Sequence, residues 1–315
     1  MSEFHLVVSP HPHVHSGHIL QNMMRDVILA LLPAVLYGLY LFGFNAAAII
    51  LLAVLSAVGW EALSNVLTKR PWTITDGTAV ASGLILALLL PATTPWWMVL
   101  IGTLLMIVLG KEVFGGYATA PFNGVLIAWI ILHMSYPDFM LDWGFAGSDP
   151  VSTAAPIEVF KNQGPAYVKE AYTLGHLLLG PTIGGIGLGS MVMVIIGGIY
   201  LLFRKTVDWR IPLAYLAGVF VFSGLFWIFS PASYADPLFH CLAGGSVIAA
   251  FFLATDMPST PVTKEGMIIF GLAAGILTVI IRIWGAWTFG AFYAVLIMSM
   301  ATPFLDKLAP DVYGR

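Results

Sequence analysis

A few side chains carry most of the chemistry this sequence can offer. Lys111 and Arg282 each stand beside a copy of an aromatic, glycine-rich motif, Phe114-Gly-Gly-Tyr-Ala-Thr-Ala-Pro-Phe122 and Trp284-Gly-Ala-Trp-Thr-Phe-Gly-Ala-Phe292, and Asn123 follows the first copy. Asp76 and Asp256 sit at the edges of long apolar runs. Carboxylates at helix ends, beside bare backbone groups, can help bind a cofactor or an ion. Asp76, just before Gly77-Thr78, equally suits a plain helix N-cap. For Lys111 and Arg282 the alternative is a stem laid along apolar surface with its charge carried out to the interface. Both readings stay open for each residue. The loop Ser148-Asp149-Pro150-Val151-Ser152-Thr153-Ala154-Ala155-Pro156 adds hydroxyls that, taken alone, read as solvated turn formers.

Metal chemistry is not expected. His11, His13, His15 and His18 alternate near the start but suit a docking strand better than a metal site. His133, His176 and His240 fall at helix ends or on the outer side, where interfacial hydrogen bonding is expected. Cys241 is alone, so no internal disulfide, zinc site or iron–sulfur cluster can form from cysteine. Gly184-Gly185-Ile186-Gly187-Leu188-Gly189 has dinucleotide-loop spacing, yet no strand precedes it, and close helix packing explains it better.

The surroundings of these residues are set by composition. The 315 residues include 13 basic and 16 acidic side chains, only 9% charged, against 59% apolar. A soluble globule carries about 25% charged residues, and a disordered chain is more polar still. Mean hydropathy is +0.91. A net charge of -3 gives no footprint for nucleic acid. Lipid is the expected solvent, and an all-α integral membrane protein the expected fold class.

A crossing helix needs about 20 residues. Charge-free stretches supply ten: two in Val27 to Trp60, broken at Gly43-Phe44-Asn45; two in Gly77 to Gly110, broken at Pro91-Ala-Thr-Thr-Pro95; one in Val113 to Pro137; and one each in Ile183 to Phe203, Ile211 to Phe229, Leu238 to Thr255, Gly266 to Ile281 and Trp287 to Pro303. Positive residues stay on the cytoplasmic side. With both termini inside, Arg25, Lys69, Arg70, Lys111, Arg204, Lys205, Arg210, Lys264, Lys307 and Arg315 are cytoplasmic, and only Lys161, Lys169 and Arg282 lie outside. The expected organisation is a cytoplasmic segment 1–26, a first membrane repeat 27–137, an outer-face loop 138–180, a second membrane repeat 181–305 and a cytoplasmic tail 306–315.

The two glycine-rich motifs align without a gap at an offset of 170, each followed by Val-Leu-Ile. Ser82-Gly83 opening the run to Pro91 likewise looks like Gly245-Ser246 opening the run to Thr255. An odd number of helices per repeat inverts the second copy, and inverted repeats place a site between them near the midplane.

Short blocks in order over Val8 to Gly314 make the chain resemble the family of membrane subunits that contains RnfD and NqrB. They include Ser9-Pro-His-Pro-His13, Met24-Arg-Asp-Val27, Ala30-Leu-Leu-Pro-Ala34, Thr75-Asp-Gly-Thr78, Pro95-Trp-Trp97, Lys111, Phe114-Gly-Gly116, Pro121-Phe-Asn123, Asp208-Trp-Arg-Ile-Pro212, Gly244-Gly245, Thr255-Asp256 and Arg282. The resemblance implies a urea-transporter-like fold of two inverted five-helix repeats in a bacterial or archaeal cytoplasmic membrane. It implies a subunit of an Rnf-type complex that passes electrons between ferredoxin and NAD, coupled to Na⁺ or H⁺ movement, with ferredoxin and NAD handled by partner subunits.

The resemblance also implies FMN on the outer loop, joined by a phosphoester to a threonine in a pattern like Asp-x-x-Ser-x-Ala-Thr. This chain matches at Asp149, Ser152 and Ala154, but Ala155 holds the acceptor position. A methyl group offers no oxygen for a phosphoester. FMN held without a covalent bond, attachment at Ser152 or Thr153, and loss of the flavin are the three readings that remain, the first preferred. Lys111, Asn123, Asp76, Asp256 and Arg282 then become candidates for a flavin's polar edge, with riboflavin between the repeats as a second cofactor. The rivals are a flavin-free channel or carrier scaffold and a subunit of a quinone-reducing sodium pump like NqrB.

Overall fold

The computed structural model describes residues 20–70, 72–143, 155–179 and 183–308. All regular structure among them is helical. The first helix, α1 (Leu20–Thr68), is broken at Gly43, whose φ of 57° and ψ of -132° no helix accommodates. There follow α2 (Thr78–Leu89), α3 (Trp96–Ile107), α4 (Gly124–Ser135), the short α5 (Pro137–Met140), then α6 (Pro156–Ala171) and α7 (Leu174–Leu179). The remainder comprises α8 (Met191–Phe203), α9 (Arg210–Phe229), α10 (Pro237–Leu242), α11 (Ser246–Ile248), α12 (Lys264–Trp284) and α13 (Gly290–Leu305).

Helices α1, α9 and α12 are long and apolar enough to cross a membrane, and α2, α4, α8 and α13 are shorter apolar helices. Their outward faces are greasy: Leu36 is 64% exposed, Phe44 85%, Phe203 82% and Phe229 84%. Water would penalise so continuous an apolar surface, whereas hydrocarbon does not. The breaks expected at Gly43-Phe44-Asn45 and Pro91–Pro95 are present, and helix begins at Leu20, ahead of Val27.

Several expected spans are not single helices. The stretch from Leu238 to Thr255 breaks at Gly244 (φ 61°) and Gly245 (φ 74°), left-handed conformations that end α10 before α11 starts. After α11 the chain runs on as a π-helical segment, Ala249–Leu253. Residues 183–190 do not begin a long helix but hold only a 3₁₀ turn, Ile186–Leu188, before α8. Similarly, Val113 to Asn123 is a turn region with a 3₁₀ segment, Tyr117–Thr119, and α4 starts only at Gly124.

Broken helices in an apolar interior expose carbonyls that need donors. At the end of α2, Trp129 Nε1 donates to Leu89 O (3.2 Å), and the Ile186 amide donates to Leu90 O (3.0 Å). Glycine lets these elements approach. A Cβ on Gly197 of α8 would lie 2.0 Å from Ala30 O of α1, and one on Gly275 of α12 would lie 2.3 Å from Tyr215 O of α9. At the start of α1, Asp26 accepts from Arg204 Nε, Tyr200 Oη and Thr206 Oγ1, pinning α1 to the end of α8.

Gly197→Ala is expected to destabilise the purified protein by about 1–3 kcal/mol through overpacking, although alanine is the better helix former. Gly59→Ala, whose Cβ meets nothing within 4 Å, is expected to leave the midpoint unchanged or raise it. Thermal unfolding in detergent checks both.

Candidate functional site

The expected site residues separate into two places. Lys111 lies in a π-helical segment, Val108–Glu112, that continues α3. The segment crosses α4 so closely that a Cβ on Gly110 would fall 2.3 Å from Gly124 Cα. π-helical bulges redirect side chains and recur at functional sites. Here Lys111 turns inward, its side chain 7% exposed, and Nζ donates to Glu61 Oε1 of α1 (2.5 Å) and Thr78 Oγ1 of α2 (2.7 Å). Asp76 Oδ2 lies 3.6 Å away. Thr73 Oγ1 donates to Glu61 Oε1 (2.5 Å) and accepts from Asn65 Nδ2 (3.1 Å). Asp76 Oδ1 accepts from the Thr78 amide and hydroxyl, both at 2.7 Å, so the same carboxylate caps α2 and faces the ammonium.

Asn123 is the N-cap of α4, its Oδ1 accepting from the Val125 amide (2.9 Å). Its Nδ2 donates to Leu253 O (3.3 Å), tying the first half of the chain to the second. Tyr117 Oη makes a second such tie by donating to Asp256 Oδ1 (2.7 Å). A cleft opens between these elements. Lys111, Thr78, Tyr117, Asn123, Thr206 and Asp256 supply its polar lining, and Met24, Val27, Phe251 and Phe252 are among its apolar walls. Asp256 sits in the connection after the π-helical segment, outside the helices. Burial pushes its carboxyl up to about 6, against the pull of hydrogen bonds from Tyr117 and Ser259.

Arg282 belongs elsewhere. Fully buried on α12, it donates from Nη1 to His240 O (2.6 Å) and from Nη2 to Ala243 O (3.0 Å) and Gly244 O (2.8 Å). It satisfies the carbonyls bared by the α10–α11 break, as a cation at a helix C-terminus should. Neither Lys111 nor Arg282 carries its charge to an interface. His240, expected at an interface, is 1% exposed with both ring nitrogens unpartnered among the described residues. His133 is buried and pairs through Nδ1 with Tyr293 Oη (3.1 Å).

Ala155 lies on the Arg282 side. It is 1% exposed, directly precedes α6 and lines a small pocket with Ile183, Leu188, Met191, Leu242 and Gly244. Its methyl packs into the apolar core, which does not fit a phosphoester attachment at that position. Asp149, Ser152 and Thr153 lie outside the described residues, as do His11, His13, His15 and His18. Lys161 of α6 donates to Gly285 O (2.7 Å) and Trp287 O (3.0 Å), clamping the loop helix onto the second glycine-rich motif. Burial first, and the nearby Arg282 second, lower its ammonium pKa.

The two places share a pattern. Thr78 follows Gly77 (φ 78°, ψ 0°) and Ser246 follows Gly245 (φ 74°, ψ 16°), each opening an apolar helical stretch. Each hydroxyl is buried, and a cation from a later helical element, Lys111 after α3 and Arg282 on α12, reaches the turn. Sequence reasoning missed Glu61, Thr78 and Tyr117. Glu61 follows directly on the charge-free run ending at Trp60, and a boundary drawn where charge begins sets it outside the helix that in fact continues to Thr68.

The sequence profile of the family described as NQR2, RnfD, RnfE matches residues 7–314. The chain is 36% identical over 316 residues to the D subunit of the Na(+)-translocating ferredoxin:NAD(+) oxidoreductase complex of Acetobacterium woodii, covering 100% of this chain and 97% of that one. It is 37% identical over 319 residues to the D subunit of the proton-translocating ferredoxin:NAD(+) oxidoreductase complex of Clostridium ljungdahlii, covering 97% and 95%. It is 32% identical over 348 residues to the D subunit of the ion-translocating oxidoreductase complex of Aliivibrio salmonicida, covering 98% of each.

Lys111→Met is expected to cost about 3–5 kcal/mol, because it strands the Glu61 carboxylate in an apolar interior. Adding Glu61→Gln should restore much of that loss, and a double-mutant thermal-unfolding cycle measures the recovery. A raised carboxyl pKa contributes stability that is complete below the unfolded value of about 4 and is lost as pH rises through about 6. Asp256→Asn is therefore expected to flatten the pH dependence of unfolding across that window.

Proposed function

The chain belongs to the NQR2, RnfD, RnfE family, and from that membership we propose that it is the D-type membrane subunit of an ion-translocating ferredoxin:NAD⁺ oxidoreductase complex. The reading carries over the role in the names of the Acetobacterium and Clostridium relatives, which match this chain almost end to end. Its partners are the other subunits of that complex and the lipid around its apolar faces. Ferredoxin and NAD react on those other subunits. The chain is one component of a translocating oxidoreductase and is not active alone.

We read the architecture as ten crossings in two inverted five-helix repeats, both termini cytoplasmic. The two arms of α1 correspond to α8 and α9, α2 to the broken α10–α11 stretch, α3 to α12 and α4 to α13. Three features support this pairing: the offset glycine-rich motifs, the left-handed glycines before Thr78 and Ser246, and the two inward cations. The cleft then opens on the cytoplasmic side, because Lys69, Arg70, Arg204, Lys205 and Lys264 flank its helices.

The observation that carries a redox role is the cleft itself. A flavin supplies one- and two-electron chemistry wherever it is bound, and this lining suits one. Lys111 and Asn123 each keep an N–H beyond their bonds to Glu61, Thr78 and Leu253 for a carbonyl edge, Asp256 accepts, and Phe251 and Phe252 give apolar walls. Riboflavin or FMN held there without a covalent bond is the cofactor we assign. On the outer loop, Ala155 and its buried methyl argue for FMN that is not phosphoester-linked at 155. The same residue favours a second reading, in which the chain is a flavin-free scaffold within the complex.

Intact complex should release flavin on acid extraction, and this subunit should give no fluorescent band after denaturation. Ala155→Thr should leave that band without fluorescence, because the side chain at 155 packs into the apolar core. A fluorescent native band lost in Thr153→Ala would transfer the attachment to Thr153. Native complex in which this subunit accounts for no flavin would establish the scaffold reading instead.

A further inference from the structure

We propose that the open groove between α8 and α9 is a site for one anionic phospholipid, whose acyl chain lies along α9 and whose phosphate meets Lys205 and Arg210. The two helices follow one another in the chain yet are drawn apart. Gly197 brings α8 onto Ala30 of α1, while Gly218, Gly271 and Gly275 bring α9 and α12 together. The π-helical segment Ala249–Leu253 touches both α8 and α9, with Phe251 packed on Gly198, and floors a groove of about 410 Å³.

Leu213, Leu216, Ala217, Phe220 and Val221 form the α9 wall of the groove, at the i, i+3, i+4, i+7, i+8 spacing of one helix face. A neighbouring element normally covers such a stripe, but here Leu213 is 51% exposed, Phe220 46% and Val221 59%. The stripe rises about 12 Å along the helix, at about 1.5 Å per residue, a shape that takes a hydrocarbon chain rather than a compact solute. Ile195 of α8 stands opposite, and Cys241 and Leu242 of α10 close the far end. At the near end the connection from α8 to α9 is basic. Arg204 is held by Asp26 and Arg210 by Asp208, whereas the exposed Lys205 has no ion-pair partner among the described residues. Three cations against two carboxylates leave one surplus positive charge. Trp209, 54% exposed with the Arg210 guanidinium 5.1 Å from its ring, has the place of an interfacial anchor. Basic clusters beside apolar helix faces recognise anionic headgroups. A zwitterionic lipid would fill the groove and leave the surplus charge unanswered. The site does not depend on the redox role proposed above.

Photocrosslinking in the purified native complex tests the site, with two probes that carry the same mid-chain diazirine, one a phosphatidylglycerol and the other a phosphatidylcholine. Peptide mass spectrometry reads the label on α9. The phosphatidylglycerol probe is expected to label Leu213 to Val221 about fivefold more than the phosphatidylcholine probe, the scale set by one unpaired cation at a membrane surface. Ala217→Trp, which sets an indole into the groove from an exposed position, should remove that label and leave the label on the exposed Leu36 to Phe44 face of α1 unchanged. Lys205 has a φ of 57°, so asparagine, which accepts left-handed backbone, replaces it without added strain. Lys205→Asn combined with Arg210→Gln should bring the two probes level while the groove still takes both. Equal labelling by the two probes in the native complex, or a preference that survives the double variant, overturns the proposal. A groove left unlabelled while α1 is labelled also overturns it, and is the result that a transmembrane helix of another subunit seated there would give.

Discussion

Charge and backbone polarity in an apolar surrounding must be answered from within the chain, and most of what is specific about this structure follows from that demand. Two cations are driven inward and each is met. Lys111 finds Glu61, Thr78 and Asp76, and Arg282 finds the carbonyls left by the α10–α11 break. The breaks and the cations depend on one another: left-handed glycines stop the helices, and a polar group from another helix satisfies what the stop exposes. Removing either partner leaves a bare charge or a bare carbonyl among buried apolar side chains.

The fold was legible where physics acts locally. Lack of charge marks lipid-facing helix, glycine and proline mark its interruptions, and both breaks in the first half were readable on those grounds. What escaped was set by tertiary partners. The stretch from Leu238 to Thr255 looks like one apolar span, and only Arg282, far along the chain, makes its interruption at Gly244-Gly245 tolerable. The residues before Met191 look equally apolar, yet the Ile186 amide serves the end of α2 and so cannot continue a helix.

Legibility of the site divides the same way. Lys111, Asn123, Asp76 and Asp256 were marked by type and position, and they do converge. Arg282 shares with Lys111 a place beside the repeated motif, but its surroundings place it with Ala155 and the outer-loop helix α6. Glu61 was missed because its side chain is turned inward by a helix that runs past the charge-free stretch, a fact no composition window contains. Within the function proposed here, the division has a meaning: the polar cleft between the halves is where the flavin would sit, while the Arg282 region fixes a broken helix against the loop.

The central claim is that the cleft between Lys111, Asn123 and Asp256 holds an isoalloxazine ring. Cryo-electron microscopy of the intact complex tests it most directly. Planar three-ring density in contact with the Lys111 ammonium and the Asn123 amide is the expected result. A cleft closed by side chains or filled by an acyl chain, with those polar groups facing one another alone, would contradict it.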